Sequence, residues 1–370
     1  MNLLLILVLL VGFGLVCAYL AYRFLHKRDD SRIKPPFNLD RHALNPVISP
    51  HPVRAWEQNG TFNPAAIKDD EGKVHLLYRA QGADGISRVG YASSPDGRSI
   101  DNRIPYPVYE PRHGYGLPNT ASATGPTEYN PAFYTSGGGW GGSEDPRTVL
   151  IDGRVYMSYV AFEGWNSVRI ALTSIKLDDL KKGKWNWRKP TIISPPGEVN
   201  KNWLIFPEKI NGKFAILHGI SPNILVDYVD NLDTLGDSEY IKSRPPKGGR
   251  KNFWDNWVRG AGPPPIKTDL GWLLLYHAMD KNDPNRYKLG AMILDANDPT
   301  KILYRSPQPI LEPEQHYEND GKPGVVYASG AVVMGKNLMI YYGGGDKHVC
   351  IAETPLDRLL DWLAKYGKIS

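Results

Sequence analysis

The sequence predicts an all-β protein, a five-bladed β-propeller that is preceded by one N-terminal transmembrane helix and closed by a short C-terminal helix. The composition and a recurring unit support the propeller. The chain of 370 residues contains 37 glycines, 31 prolines and 21 tyrosines. Glycine and proline weaken helix interiors but are needed in turns, so this composition favours many short strands.

A repeated unit recurs along the chain from residue 46 onward. Each copy has a glycine in a tight turn, four mostly apolar residues, and a tyrosine or histidine six residues after the glycine. The five pairs are Gly72 and Tyr78, Gly153 and Tyr159, Gly212 and His218, Gly271 and His277, and Gly335 and Tyr341. Extended segments flank each copy, which is typical of antiparallel blades. One blade cannot bury both of its faces, so the blades of residues 45–355 are expected to stack around an axis. A β-sandwich with accidental internal similarity is the alternative.

The two ends of the chain carry helical patterns. Residues 3–25 are apolar except for Arg23, and as a helix they would cross a hydrocarbon core of about 30 Å. Positive residues follow this stretch, which favours a single-pass membrane anchor at 1–25 with the catalytic domain in the cytoplasm, and an uncleaved export signal is the alternative. A linker at 26–44 follows. Leucines at 356, 359, 360 and 363 predict an amphipathic helix within 356–370.

The charge and the cysteines exclude several classes of function. The net charge of +5 is dispersed, and only residues 242–251 are locally basic, which argues against nucleic-acid binding. The two cysteines, Cys17 and Cys350, form no disulfide framework and indicate no metal site.

The stretch "GGGWGGSEDPRTVL" at residues 137–150 contains the candidate catalytic carboxylate. The first strand of each blade begins near the central channel, and only the second unit has a carboxylate there, Asp145. The corresponding positions in the other units are Asn63, Phe206, Pro264 and Ser329. A positioned acid beside aromatic side chains suits cleavage of a glycosidic bond, and attack from the opposite face gives inversion.

Each candidate residue of this pocket also has a structural interpretation. Asp145 before a proline would serve in a turn that opens a strand, and Arg79 would serve in a salt bridge between blades. His277 would serve as a hydrogen-bonded core residue, and Lys267 as a solvated turn lysine.

A series of motifs resembles glycoside hydrolase family 130 over residues 45–353. The motifs are "NPAAI", "LLYRAQG", "SRVGYASSPDG", "GGSEDPR", "FPEKINGKFAILH", "GAGPPPIKTDLGWLLLYH", "YKLGAMILDANDPTKI", "PILEPE" and "YYGGGDKHVCIAE". The resemblance implies a five-bladed propeller that acts on β-mannosides. Most such enzymes are inverting phosphorylases that yield α-mannose 1-phosphate, and a smaller group are hydrolases. It also implies that no metal or organic cofactor is used.

The resemblance assigns roles to individual residues. Asp145 is implied as the general acid, which passes its proton to the glycosidic oxygen through the mannose 3-hydroxyl. Asp346 is implied as a sugar-binding residue, and Arg79 and Lys267 as phosphate-binding residues. The further substrate-binding candidates are Asn63, Glu144, His277 and, as a sugar platform, Trp140.

One motif departs from the phosphorylase pattern. Typical phosphorylases have an arginine after the histidine that His218 matches, whereas this chain has Gly219. Arg259 is the candidate replacement for the missing phosphate-binding arginine. If water were the nucleophile instead, Glu208 or Asp227 would be the candidate base.

These observations together predict an inverting enzyme that cleaves β-mannosidic bonds in manno-oligosaccharides, with phosphorolysis preferred over hydrolysis. Its predicted partners are a β-mannoside oligosaccharide, inorganic phosphate as co-substrate, and the membrane through the N-terminal helix. The alternatives are an inverting β-mannosidase, a glycan-binding propeller without activity, and a furanosidase-type propeller, which would need three pocket carboxylates.

Overall fold

The first strands of the protein form two neighbouring blades. The computed structural model describes residues 36–117, 139–164, 167–236, 239–244 and 247–369. The chain begins with the short strand β1 (Asp40–Arg41). Blade 1 contains β2 (Gly60–Lys68), β3 (Val74–Gln81), β4 (Ile86–Ser94) and β5 (Asn102–Arg103). A small ladder follows, formed by β6 (Arg112–His113) and β7 (Gly116–Leu117). Blade 2 contains β8 (Gly141–Ile151), β9 (Arg154–Phe162), β10 (Val168–Lys176) and β11 (Thr191–Ile192), with helix α1 (Leu177–Lys181) after β10.

Three further antiparallel blades complete the described part of the molecule. Blade 3 contains β12 (Leu204–Ile205), β13 (Phe214–Gly219) and β14 (Leu225–Val229). Blade 4 contains β15 (Trp257–Ala261), β16 (Ile266–Thr268), β17 (Gly271–Asp280), β18 (Asp283–Leu294) and β19 (Ile302–Arg305). Blade 5 contains β20 (Val326–Met334), β21 (Asn337–Gly344) and β22 (His348–Pro355), and helix α2 (Leu356–Tyr366) follows it. Short 3₁₀ turns lie at Ala55–Glu57 and His316–Glu318.

The blades close into a ring because a hydrophobic core lies between each blade and the next. The described residues form five such cores, and each takes buried side chains from two consecutive blades. Representative pairs, in order around the ring, are Leu77 and Met157, Val160 and Ile216, Leu217 and Leu274, Leu275 and Ile340, and Met339 and Leu76. The last pair joins blade 5 to blade 1, so the apolar faces of all five blades are covered, as the repeat pattern requires.

The ring is fastened by a strand from the N-terminal side of the propeller. Strand β1 pairs antiparallel with β22, so it is the outermost strand of blade 5. The Arg41 side chain reinforces this pairing, because its Nε donates to Glu318 Oε1 at 2.8 Å. Strand β1 lies in the stretch 26–44, which was expected to be a linker. The sequence did not predict this strand because two residues are too few to show an alternating pattern.

Helix α2 packs against the outside of the ring. Leu359 and Leu363 are fully buried and Trp362 is nearly so, and all three belong to the core between blades 4 and 5. Phe37 and Leu39 join the same core, and the Phe37 and Trp362 rings lie 5.2 Å apart. The chain segment around β1 and the C-terminal helix therefore stabilise the same interface.

The innermost strands bulge at equivalent places. The pairing register shifts between Phe62 and Ala65 in β2 and between Glu144 and Arg147 in β8. Equivalent shifts occur before Gly260 in β15 and before Gly330 in β20. A bulge turns the extra side chain out of the ladder, so each of these strands directs one side chain toward the axis. A Cβ on Gly330 would lie 2.5 Å from the Pro64 carbonyl oxygen, so only glycine allows blades 5 and 1 to approach this closely.

The prediction of a transmembrane helix was wrong. No helix in the described part of the chain is long and apolar enough to cross a membrane. The predicted membrane-anchored localisation and the membrane as a partner rested on the same stretch and are corrected with it. Residues 1–25 themselves lie outside the described residues. The apolar stretch at residues 3–25 is long enough to cross a membrane as a helix, but length alone does not show that such a helix forms.

Candidate active site

A cavity of about 850 Å³ lies where the bulges of the innermost strands converge. Every blade, or the segment leading into it, contributes to its wall. The polar and aromatic side chains that line it are those of Asn63, Arg79, Asp145, Asn200, Lys201, Asn202, Trp203, His218, Ser243, Arg244, Trp257, Arg259, Asn285, Tyr287, Lys322, Tyr327 and Asp346. Among these described residues, five are lysine or arginine and two are aspartate, so the cavity attracts anions.

Asp145 lies at the bulge of β8 and is 6% exposed. Its Oδ1 accepts a hydrogen bond of 2.8 Å from Asn63 Nδ2, which lies at the equivalent bulge of blade 1. Both residues have left-handed backbone angles, with φ of 50° and 48°. Asparagine and aspartate tolerate this region better than other side chains, which explains their use at two equivalent positions that must also present a polar group.

Arg79 joins Asp145 to a second, deeper carboxylate. Its guanidinium donates to Asp145 Oδ1 at 3.2 Å and to Glu144 Oε1 at 2.7 Å. Ser87 Oγ accepts from Arg79 Nε at 2.9 Å, and Glu144 is fully buried. The Lys201 ammonium lies 3.5 Å from the other Glu144 oxygen. Glu144 therefore positions two cations from beneath the cavity instead of lining it.

The two cavity aspartates have opposite pKa shifts. Burial alone would raise the pKa of Asp145, but attraction to Arg79, Lys201 and Arg147 outweighs burial and lowers the pKa to about 2. Burial raises the pKa of Asp346, and the nearest cation, Lys322, lies 3.7 Å from its Oδ2. Asp346 also has a positive φ, of 50°. The surroundings of the two aspartates thus hold Asp145 ionised and favour a proton on Asp346 relative to an ordinary aspartate.

Arg147 fixes the geometry below the cavity floor. Its NH1 donates to the Asp145 carbonyl oxygen at 2.8 Å, and its NH2 donates to Asn202 Oδ1 at 3.0 Å and to the Tyr327 hydroxyl oxygen at 2.9 Å. The Tyr327 hydroxyl in turn donates to Asn202 Oδ1. Blades 2, 3 and 5 are therefore connected directly beneath Asp145.

Aromatic side chains form the wall on blades 4 and 5. The Arg259 guanidinium lies 4.7 Å from the Trp257 ring centroid, and its Nε donates to the Tyr287 hydroxyl oxygen at 3.4 Å. His277 is fully buried behind Tyr327, with the two rings stacked 4.1 Å apart. Burial, followed by repulsion from Arg147, lowers the pKa of His277 to about 3, so its imidazole is neutral. His277 thus supports the wall and does not line the cavity.

The structure brings together Asn63, Arg79, Asp145, Arg259 and Asp346 in the cavity wall, with Glu144 and His277 behind it. Lys267 and Glu208 lie elsewhere, because they pair with each other on the surface with half-exposed side chains. Asp227 is also half-exposed and does not line the cavity, and its Oδ2 lies 3.9 Å from Nε2 of the lining residue His218. Trp140 Nε1 donates to the Asp84 carbonyl oxygen at 2.8 Å, and its ring covers Gly85 outside this cavity.

Several cavity residues were missed by the sequence analysis. Lys201 and Asn202 precede β12, which is only two residues long, so the repeat did not predict their place. Asn202 has a φ of 63°, and this recurrence of asparagine or aspartate at the inner ends of blades is the one pattern that could have identified it. Arg244, Lys322, Tyr287 and Tyr327 lie in loops or strands without such a pattern.

The arrangement suits acid chemistry beside a bound anion. No group of three or more histidine, cysteine, aspartate or glutamate side chains within the described ranges is arranged to hold a metal ion. One buried carboxylate, Asp145, faces a cavity whose other charges are mostly positive. A proton donor and a docked anionic nucleophile could therefore act on the same substrate.

Comparisons with known proteins agree on one family. The family model described as beta-1,4-mannooligosaccharide phosphorylase matches residues 132–365. A 1,2-beta-oligomannan phosphorylase from Thermoanaerobacter sp. (strain X514) is 38% identical over 325 residues, which cover 85% of this chain and 96% of the relative. The solved beta-1,2-mannobiose phosphorylase from Listeria innocua, in complex with beta-1,2-mannobiose, is similar with a TM-score of 0.67 and 25% identity, covering 89% of this chain and 100% of that one. A structure from work on GH130 glycoside hydrolases that target beta-1,2 mannosidic linkages in Candida mannan has a TM-score of 0.66 and 26% identity, with coverage of 87% and 95%.

Proposed function

Because the chain belongs to glycoside hydrolase family 130, we propose that it is an inverting phosphorylase that cleaves β-mannosidic bonds in manno-oligosaccharides and releases α-mannose 1-phosphate. One observation carries the choice of phosphate: cations from several blades line the cavity around the buried carboxylate Asp145. Arg79 and Lys201 lie on one side, and Arg244, Arg259 and Lys322 complete the cationic wall. Phosphate must be held and oriented to act as a nucleophile, and charge-assisted hydrogen bonds from such groups do this.

Asp145 is the proposed general acid. As the glycosidic bond breaks, its carboxyl proton passes to the departing oxygen, directly or through a substrate hydroxyl, while a phosphate oxygen forms the new bond to the anomeric carbon from the opposite face. Attraction to Arg79 and Lys201 outweighs burial, lowers the pKa of Asp145 and keeps it ionised in the absence of substrates. A bound phosphate would offset that attraction and so raise the pKa of Asp145, which favours the protonated acid when both substrates are present.

Gly219 stands where typical phosphorylases have a phosphate-binding arginine, and Arg244 lies close enough to replace it. Gly219 lines the cavity at the end of β13. The neighbouring segment 239–244 is held against this strand by Ser243, whose Oγ donates to the His218 carbonyl oxygen at 2.8 Å. This contact brings Arg244 to the cavity wall beside Gly219. We propose that Arg244, together with Arg259, supplies the missing phosphate-binding charge.

Hydrolysis is the competing reaction within the family. An inverting hydrolase needs a second carboxylate to activate water. The two candidates for that role, Glu208 and Asp227, do not line the cavity. Among the described residues the other carboxylate that lines it is Asp346, whose proposed role is sugar binding, and this favours phosphate as the nucleophile.

We further propose a β-1,2 linkage for the substrate. The relatives named above that match most of this chain act on β-1,2-linked oligomannan or mannobiose. The assignment rests on those relatives.

The proposal is tested by product analysis with and without inorganic phosphate. The protein is incubated with β-1,2- and β-1,4-mannobiose, and phosphorus NMR detects mannose 1-phosphate and its anomeric form. We expect phosphate-dependent release of the α-anomer from β-1,2-mannobiose. Release of free mannose at the same rate without phosphate would contradict the proposal.

The general acid is tested by Asp145→Asn, which tolerates the positive φ and keeps the size of the side chain. We expect kcat to fall by about 10²–10⁴ in protein that circular dichroism shows to be folded. Asp227→Asn is the matched control, because it changes a half-exposed aspartate outside the cavity and should leave kcat unchanged. Full activity of Asp145→Asn would exclude Asp145 as the acid.

A further inference from the structure

A second recess lies beside the active-site cavity, between the outer strands of blade 2 and the segment 239–244. We infer that this outer recess binds the distal sugar residues of longer manno-oligosaccharides; the inference rests on the proposed function. The outer recess has a volume of about 580 Å³. Its lining includes the side chains of Tyr115, Arg169, Arg188, Asp233 and Tyr240.

Two walls are shared by the cavity and the outer recess. The first wall lies where residues 199–200 meet the start of β10: Val199 and Asn200 line the cavity, and the Asn200 backbone amide donates to the Val168 carbonyl oxygen at 2.9 Å. The next residue along that strand, Arg169, lines the outer recess. A chain of sugars that leaves the cavity over Val199 would therefore meet Arg169 directly.

The second shared wall is the segment 239–244. Tyr240 lines the outer recess, whereas Ser243 and Arg244 line the cavity. Ile241 is buried between them, and its amide donates to the Ile193 carbonyl oxygen at 3.0 Å, which fixes the segment against blade 2. Residues 240 and 243 can be at most about 11 Å apart along the chain, so a short oligosaccharide could contact both.

The surface between the two sites has the character of a sugar-binding surface. Tyr240 is 40% exposed and Val199 is 45% exposed, so two apolar groups face solvent along this path. The Arg169 guanidinium lies 5.0 Å from the Tyr240 ring centroid, and its Nε donates to the Ser194 carbonyl oxygen at 3.1 Å, so the ring is supported from behind. An exposed, supported aromatic ring can stack on the apolar face of a sugar.

The polar groups of the outer recess can form hydrogen bonds with the hydroxyl groups of a sugar. Arg188 pairs with Asp233, and together they offer hydrogen-bond donors and acceptors to a neutral ligand. Arg169 already donates to a backbone carbonyl. Three cations, Arg169, Arg188 and Lys189, and one carboxylate, Asp233, line the recess, so its positive charge is partly compensated.

The inference is tested by comparing short and long substrates in Tyr240→Ala. In wild-type protein we expect β-1,2-mannohexaose to have a lower KM than β-1,2-mannobiose. Tyr240→Ala should raise the KM for mannohexaose about tenfold and leave kcat and the KM for mannobiose unchanged. The matched control is Tyr228→Ala, which removes a tyrosine of similar exposure, 37%, that does not line the recess.

A binding measurement separates failure of this inference from failure of the proposed function. Calorimetric titrations in the Asp145→Asn background measure affinity for the two oligosaccharides without turnover. Tighter binding of mannohexaose that Tyr240→Ala abolishes would support the outer recess even if no phosphorolysis were detected. Equal affinity for mannobiose and mannohexaose would overturn the inference and leave the proposed function intact. The same conclusion would follow if Tyr240→Ala changed only the binding of inorganic phosphate or its dependence on salt.

Discussion

Asp145 illustrates how single residues are adapted to this cavity. Its φ of 50° is uncommon for a residue other than glycine, and the bulge, Asn63 and Arg79 together hold it in place. Local strain of this kind costs on the order of 1–3 kcal/mol and persists only where the surroundings determine the conformation. Asn63 and Asp346 have the same backbone conformation, so three polar groups are presented from strained positions in three blades.

The lowered pKa of Asp145 predicts a specific dependence of stability on pH. A carboxyl whose pKa is lower in the folded than in the unfolded protein stabilises the fold above its unfolded pKa of about 4, and this contribution is lost as the pH falls toward 2. We expect a contribution of about 2 kcal/mol at pH 6. Urea unfolding between pH 6 and pH 3 should therefore give a steeper decline for the wild type than for Asp145→Asn. Parallel declines would show that Asp145 is not held ionised.

Arg244 and Lys267 give opposite predictions for phosphate binding. Arg244 lines the cavity, whereas Lys267 pairs with Glu208 on the surface. Loss of one charge-assisted hydrogen bond costs about 1.5–3 kcal/mol. Arg244→Ala should therefore raise the KM for phosphate at least tenfold and change the KM for the oligosaccharide little.

Lys267→Ala is the matched control for this measurement. It removes one positive charge and should leave the KM for phosphate unchanged. If instead Lys267→Ala raised that KM and Arg244→Ala did not, the phosphate site would lie where the sequence motif alone places it.

At the level of secondary structure, the closing strand β1 is the most consequential element that sequence did not predict. Its pairing with β22 depends on Arg41, whose side chain is 16% exposed and which forms two hydrogen bonds with the fully buried Glu318, of 2.8 and 3.1 Å. Glu318 also accepts from the Tyr342 hydroxyl at 2.8 Å. The ion pair between Arg41 and the buried Glu318 therefore stabilises the closure of the ring.

Arg41→Met should destabilise the protein by about 3 kcal/mol, because it leaves the buried Glu318 charge without its cation. Arg358→Met is the control: Arg358 contacts Asp40 of the same strand at 3.4 Å, but both side chains are at least half-exposed. Such an exposed pair contributes about 1 kcal/mol or less. The measurement is the free energy of unfolding in urea, and equal effects of the two substitutions would contradict the role assigned to Arg41.

The repeat pattern predicted the long central strands because glycine turns and apolar runs are local features. It also directed attention to Asn63 and Asp145, since both precede a proline at the start of a blade. The phosphate-binding role of Lys267 was implied by the family resemblance, and a motif gives a position in the chain but not the direction of a side chain. On β16, Lys267 points to Glu208 and away from the axis. Lys201 and Arg244 could not be predicted because nonlocal contacts, with Glu144 and through Ser243, bring them to the cavity.

At the level of the whole molecule, the cavity belongs to no single blade. Asn63 and Arg79 come from blade 1, Asp145 from blade 2, and Lys201 from the segment before blade 3. Blades 4 and 5 supply Arg259, Tyr327 and Asp346. The interblade cores therefore determine the distances between the catalytic groups.

The closure of the ring by β1 and β22 has a consequence for the synthesis of the protein. A ribosome produces β1 first and β22 almost last, so the two strands can pair only when nearly the whole propeller has been made. Until then Asp346, which lies just before β22, cannot face Asp145 across the axis. A nascent or truncated chain should therefore be inactive, and catalytic competence should emerge in a single late step and not blade by blade.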